Sequence, residues 1–96
     1  MTFDNIKNKI RKICINLFKD RNIDIDIIDY VDFVADYAID SITFISLVIE
    51  IEEVFSIIIP ENLLLMENMN SIDKITQIVF NEVLTMSDTP KGEENE

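Results

Sequence analysis

Apolar side chains recur three or four residues apart near both ends of the chain, which is the spacing of one face of a helix. The first helix is predicted within residues 1–19, with Asp4 or Asn5 as its N-cap. Its apolar face consists of Ile6, Ile10, Ile13 and Leu17. The last helix is predicted to begin after a cap at Ser71. Its apolar face consists of Ile72, Ile75, Val79 and Val83.

Residues 20–40 do not follow this helical spacing. Asp and Ile alternate from Asp24 to Ile27, which is the period of a strand, but a single strand without a partner is not a stable element. We therefore predict a long ordered loop, held to the core by its apolar side chains, and a loop of this length is usually functional. The side chains expected to hold it are Ile27, Ile28, Val31, Phe33 and Val34.

The remaining boundaries follow from proline and from composition. Pro60 ends the apolar run at residues 57–59, and residues 61–69 are expected to form a short helix or an irregular link. The end of the chain is polar, which predicts a folded domain at residues 1–85 and a disordered acidic tail at residues 86–96. The predicted fold is all-α: a small bundle of three main helices plus a short helix, with a long loop between the first and second helices.

The second helix, predicted from Ser41 to about Ser56, has two apolar faces. One face carries Leu47, Ile51, Val54 and Phe55, with Phe44 and Val48 close by. The opposite face carries Ile42, Ile45 and Ile49, flanked by Ser46, Glu52 and Glu53. Such a helix could be packed on both sides, but the two other main helices each show a single apolar stripe. We therefore predict that Ile42, Ile45, Ile49, Glu52 and Glu53 form a docking surface for a partner with apolar side chains and a basic rim.

Composition removes several functions from consideration. The net charge of −11 disfavours binding to nucleic acid and to anionic membranes. The chain has no His and one Gly, which excludes a histidine base, a His-ligated zinc and a glycine-rich phosphate loop. Its one cysteine, Cys14, is predicted to be structural, and it fits a reducing compartment such as the cytoplasm. No signal segment or membrane span is apparent, and no titratable pair is placed for acid–base catalysis, so we predict a non-enzymatic cytoplasmic protein.

The stretch from Phe33 to Ile42 contains the tripeptide Asp40-Ser41-Ile42 and is followed by further landmarks at fixed offsets. These landmarks are Leu47, Glu52, Phe55, Ile59-Pro60 and Asn70-Ser71-Ile72. An Asp-Ser dipeptide alone is only a common helix cap, but the whole constellation resembles the acyl carrier and peptidyl carrier protein family. The resemblance covers about residues 3–85.

This resemblance implies that Ser41 receives 4′-phosphopantetheine from a phosphopantetheinyl transferase that uses coenzyme A and Mg²⁺. It also implies that Asp40 helps to hold that metal ion, and that the thiol of the arm carries an acyl or aminoacyl group as a thioester. The residues agree with this role, because Ser41 has no His, Lys or thiol neighbour to activate it and so resembles a passive acceptor. A phosphodiester at a helix N-terminus is stabilised by free backbone N–H groups. The alternative for Ser41 is a simple N-cap.

The chain departs from the family pattern in several places. The usual Gly three residues before the serine is Ala38, which adopts positive φ less easily, and Tyr37 replaces the usual Leu. Acids often found after the serine in fatty-acid carriers are Thr43 and Ser46 here, and the 61–69 segment is slightly longer than in those carriers. These departures favour a dedicated pathway over fatty-acid synthesis.

Two other constellations receive a structural interpretation. Asp24, Asp26 and Asp29 resemble part of a calcium loop but lack its central Gly and terminal Glu, so we predict no metal site. Met66 and Met69 are read as gap-filling side chains, with a cleft for the tethered acyl chain as the alternative.

The sequence therefore predicts a stand-alone, monomeric carrier in a nonribosomal peptide or other specialised pathway. Its expected partners are the phosphopantetheinyl transferase, an adenylating or acyltransferring loading enzyme, and downstream acyl-processing enzymes. Within the carrier class, the alternative is a fatty-acid or D-alanyl carrier. Outside it, the alternative is an acidic helical interaction module that has no prosthetic arm.

Overall fold

A computed structural model describes residues 2–21 and 23–88 of the chain. These residues form four α-helices and three short 3₁₀ turns, with no strand among them, which confirms the predicted all-α class. The helices are α1 (Phe3–Leu17), α2 (Phe33–Tyr37), α3 (Ser41–Phe55) and α4 (Ile72–Asp88). The 3₁₀ turns are Ile28–Tyr30, Glu61–Leu63 and Met66–Asn68. The short α2 lies inside the predicted loop, and the 61–69 link consists mainly of two of the 3₁₀ turns.

The cap of α1 differs from the predicted one. Thr2 has an extended backbone, so its hydroxyl turns back to accept a hydrogen bond from the Asn5 amide at 3.1 Å. Asp4 and Asn5 are already inside the helix, and the prediction that one of them is the N-cap was wrong. Beyond this cap, the buried line of α1 runs at four-residue spacing into the core, whereas Ile13 and Leu17 pack against the core from its flanks. The line consists of Ile6, Ile10, Cys14 and the residue after the helix, Phe18.

The long loop is held to the core by fewer apolar side chains than predicted. Ile28, Val31 and Phe33 are buried, but Ile27 is 48% exposed and Val34 is 40% exposed. The prediction was wrong for these two because the segment coils into helical turns, where neighbouring side chains point in different directions. Phe33 lies edge-on to Phe18 with ring centroids 4.9 Å apart, which links the loop to the end of α1.

Ion pairs attach the first half of the loop to the helices. Arg11 of α1 donates two hydrogen bonds to the Asp29 carboxylate, at 2.9 and 2.6 Å. Lys7 lies 3.8 Å from Asp29 and 2.9 Å from Asp73 of α4. The hydrogen bonds from Arg11 hold the pKa of Asp29 below its ordinary value. The loop, α1 and α4 thus share one charged cluster at this end of the bundle.

The second half of the loop joins the chain just before α4. Asp32 caps α2 by accepting hydrogen bonds from the Val34 and Ala35 amides, both at 2.9 Å, and its second oxygen accepts from the Asn70 side chain. The Phe33 amide also donates to the Asn70 carbonyl at 2.7 Å. These contacts fix the start of α2, and with it the turn that leads into α3.

The last helix begins as predicted, because the Ser71 hydroxyl accepts a hydrogen bond from the Lys74 amide at 3.2 Å. It continues to Asp88, so the first three residues of the predicted tail belong to α4 and the rest, residues 89–96, lies outside the described residues. None of the helices in residues 2–21 and 23–88 is long and apolar enough to cross a membrane.

Candidate functional site

The site begins at the turn between α2 and α3. Ala38 follows α2 in the left-handed conformation, with φ 52° and ψ 43°, and its amide donates to the Val34 carbonyl at 3.1 Å. The alanine therefore adopts the positive φ that favours glycine, in spite of its β-carbon. The Tyr37 ring packs 5.8 Å from Phe18 and 6.3 Å from Phe33, so it fills an apolar position next to the turn.

Asp40 caps α3. Its Oδ1 accepts a hydrogen bond from the Thr43 amide at 2.8 Å, and its backbone is extended, as an N-cap requires. Hydrogen bonds from the Thr43 amide and hydroxyl hold the pKa of Asp40 below its ordinary value, and the charge of Arg21 acts in the same direction. Asp40 is therefore an exposed anion at neutral pH, at the positive end of the helix dipole.

Ser41 is the first residue of α3, and its side chain is exposed. Within residues 2–21 and 23–88, its hydroxyl makes no hydrogen bond, since Asp40 carries out the capping. The sequence left open which of the two residues caps α3, and in the structure the cap is Asp40, so the exposed Ser41 hydroxyl does not serve as the cap. The first N–H groups of a helix have no carbonyl partner within it, and those of α3 that precede Thr43 could stabilise a phosphate on this oxygen.

The two faces of α3 have opposite environments, as the pattern predicts. Leu47 and Ile51 are completely buried, together with Val48 and Phe55. On the other side, the exposed fractions are 75% for Ile42, 55% for Ile45 and 50% for Ile49.

One residue of the predicted buried face is exposed. Val54 is 41% exposed, which contradicts its predicted place on that face. The buried face is centred between Leu47 and Val48, so Val54 lies on its edge, in the last turn of the helix.

The two acidic residues beside the exposed isoleucines of α3, Glu52 and Glu53, differ in burial. Glu53 is exposed, but Glu52 is half-buried and its Oε2 accepts a hydrogen bond from the Ile59 amide at 2.9 Å. The Glu52 carbonyl also accepts from the Ile57 amide, after Ser56 ends the helix in the left-handed conformation. Glu52 therefore fixes the chain that leaves α3, whereas the side chain of Glu53 is exposed to solvent.

Two open pockets lie near the site. One, of about 260 Å³, is apolar and lies along the edge between the exposed and buried faces of α3, next to Leu64. Its lining consists of Phe44, Ile45, Val48, Ile49 and Leu64. The other, of about 350 Å³, lies between α2 and the link before α4, where Met66 lines it beside Val34 and Asn70. Met69 is completely buried in the core, in agreement with its interpretation as a gap-filling side chain.

Arg21 is the residue of this site that sequence reasoning missed. Its Nε donates to the Tyr37 carbonyl at 3.2 Å, and its Nη2 donates to the Thr43 hydroxyl at 3.4 Å. The guanidinium therefore connects the end of α2 to the first turn of α3. The available signal was that Arg21 is the single base in residues 20–40, among seven aspartates.

The remaining candidate residues have structural roles. Burial raises the pKa of the Cys14 thiol to about 12, so it is not a reactive thiolate at neutral pH. Asp29 is paired with Arg11 and Lys7, and Asp24 accepts a hydrogen bond from the Asp26 amide. In the part of the chain that the structure describes, no group of three or more acidic or cysteine side chains is arranged to hold a metal ion.

A family model described as a phosphopantetheine attachment site matches residues 9–79 of the chain. That match covers most of the sequence, and the chain belongs to this family of phosphopantetheine-carrying proteins, as the resemblance implied. The group that such a domain holds is covalently bound 4′-phosphopantetheine. Carrier domains of this kind are generally non-catalytic, and they work with phosphopantetheinyl transferases and acyl-handling enzymes. Searches of curated proteins and of solved structures gave no match.

Proposed function

We propose that Ser41 is the attachment point of 4′-phosphopantetheine and that the chain is a stand-alone, monomeric carrier of thioester-bound acyl or aminoacyl groups. The observation that supports this most directly is the exposed Ser41 hydroxyl, which has no hydrogen-bond partner among the described residues because Asp40 caps the helix. A serine retained only for capping would direct its oxygen at the Thr43 amide, and here the carboxylate does so.

In the modification, the Ser41 oxygen attacks the phosphorus of coenzyme A that bears the pantetheine. A P–O bond forms, the pyrophosphate bond breaks, and adenosine 3′,5′-bisphosphate leaves. The chain has no histidine and no base hydrogen-bonded to Ser41 in its described part, so we expect a base of the transferase to take the proton. When bound, the prosthetic group supplies the thiol that forms the thioester.

Two features of this chain would assist the encounter with the transferase. Asp40 is anionic and exposed next to the reacting hydroxyl, so its carboxylate is accessible to a Mg²⁺ ion that the transferase holds. The exposed face of Ile42, Ile45 and Ile49, with Glu53 beside it, offers an apolar contact with an acidic border. A transferase or loading enzyme with a basic rim would complement this surface and the net charge of −11.

The test is incubation with a broad-specificity phosphopantetheinyl transferase, coenzyme A and Mg²⁺, followed by mass spectrometry of the intact protein. We expect the mass to increase by one phosphopantetheine, and Ser41→Ala to abolish the increase. Ser46→Ala is the matched control, because Ser46 is also exposed on α3 and lies five positions further along the helix. A wild-type chain that stays unmodified would favour the acidic interaction module, and a modified Ser41→Ala chain would place the arm elsewhere.

The carried group is proposed to belong to a nonribosomal peptide or another specialised pathway, and the lone buried cysteine suits a reducing cytoplasm. Thr43 and Ser46 stand where fatty-acid carriers often have acids, which supports this choice. Charging of the modified chain by an adenylating enzyme, monitored as thioester formation, would support the proposal. Charging only by a fatty-acid acyltransferase or by a D-alanine ligase would favour one of the other two carrier types.

A further inference from the structure

Arg21 spans the turn that carries the proposed attachment serine. It follows α1 and contacts both sides of the three-residue link Ala38–Asp40, with its Nε on the Tyr37 carbonyl and its Nη2 on the Thr43 hydroxyl. The Thr43 amide in turn donates to the Asp40 carboxylate at 2.8 Å. One side chain therefore connects α1, the end of α2 and the first turn of α3.

The two arginines of the chain are used in different ways. Arg11 forms a two-bonded ion pair with the Asp29 carboxylate, 18 positions away in sequence. Arg21 lies in a segment with seven aspartates, yet no carboxylate among the described residues lies within 4.0 Å of its guanidinium. Its identified partners are a backbone carbonyl and a hydroxyl, so its hydrogen bonds hold the shape of a turn, while its charge acts on Asp40 without forming an ion pair within 4.0 Å in the described residues.

We propose that Arg21 is a positioning residue for the modification of Ser41: it fixes the Ala38–Asp40 link against α3, so that Asp40 and the serine hydroxyl enter the transferase in one arrangement. This inference rests on the proposed function of Ser41. Small displacements of reacting groups cost much of the rate of a bimolecular transfer, because orientation must then be found during the encounter. The proposed docking surface consists of exposed residues of α3, and Arg21 precedes that helix, so we expect the KM for the carrier to depend little on Arg21.

The experiment compares the steady-state modification of Arg21→Gln and Arg11→Gln with that of the wild-type chain. For Arg21→Gln we expect kcat to fall about tenfold to a hundredfold with little change in the KM for the carrier. Arg11→Gln removes an arginine with hydrogen bonds of its own, to Asp29 and to Asn8, so it should lower the thermal stability but leave kcat unchanged. Arg21→Lys keeps the charge and one donor, and we expect it to recover part of the lost rate.

The hydrogen bond between Arg21 and Thr43 can also be removed by changing its acceptor, Thr43. Thr43→Val deletes the hydroxyl but keeps the side-chain shape, so it should lower kcat less than Arg21→Gln and add little to it in the double variant. If Arg21→Gln does not fold, the values of kcat for Thr43→Val and Arg21→Lys test the inference instead. An unchanged kcat in the folded variants, or a rise in KM alone, would overturn the inference while wild-type modification still upheld the role of Ser41. Failure of the wild type to be modified would instead refute the proposed function.

Discussion

The two sides of α3 contain the same kinds of residues in opposite surroundings. Leu47 and Ile51 are buried against the rest of the bundle, whereas Ile45 and Ile49 are half-exposed on the opposite side, on the same helix as Ser41. On the buried side, apolar area is removed from water when the chain folds. On the exposed side, the same area can be removed only when a second molecule binds. One helix therefore contributes to stability through one face and leaves the other face exposed, where we propose that a partner docks.

The largest expected change in stability comes from truncating a side chain on the buried face of α3. Leu47→Ala should lower the free energy of unfolding by about 2–5 kcal/mol, because it removes buried methyl groups and leaves a cavity in the core. Chemical denaturation measures this change, and Phe55→Ala at the end of the same face should behave similarly. Ile45→Ala is the matched truncation on the exposed face and should change the stability by less than about 0.5 kcal/mol. Similar losses at Leu47 and Ile45 would remove the distinction between the two faces.

A charge introduced on the exposed face of α3 is expected to affect the reaction with the partner enzyme and not the stability. Ile45→Glu or Ile49→Glu should leave the helical circular dichroism signal unchanged but raise the KM of the transferase or loading enzyme about tenfold, through loss of an apolar contact. Gln77→Glu adds the same charge on the exposed surface of α4 and serves as the control. If Ile45→Glu unfolds the protein, this face belongs to the core. If it folds and is loaded normally, the face is not the docking surface.

Most of the fold could be predicted from the sequence because helical spacing and capping are local. The start of α3 at Ser41 and the Ser71 cap of α4 were correct, since each depends on a few neighbouring residues. The exposed state of Ile27 was not predictable in this way, because it depends on how the loop coils between distant elements. The link from Arg21 to Thr43 was missed for the same reason, as 22 positions separate these residues.

The smallest expected change in stability is at the turn between α2 and α3. Ala38 has positive φ, and its β-carbon makes that conformation cost about 1–2 kcal/mol. Ala38→Gly removes this cost but gives the unfolded chain more freedom, worth about 0.4–1 kcal/mol, so we expect a net gain in stability of about 0.5–1 kcal/mol.

Thermal denaturation should detect the gain from Ala38→Gly, and Ala35→Gly supplies the control, because Ala35 lies inside α2, where glycine is destabilising. The rate of Ser41 modification should stay unchanged in Ala38→Gly, since Arg21 contacts the residues on either side of the link and none within it. A loss of stability in Ala38→Gly would mean that the turn does not have this left-handed geometry in solution. A loss of rate alone would mean that the stiffness of the alanine, and not only Arg21, orients the serine.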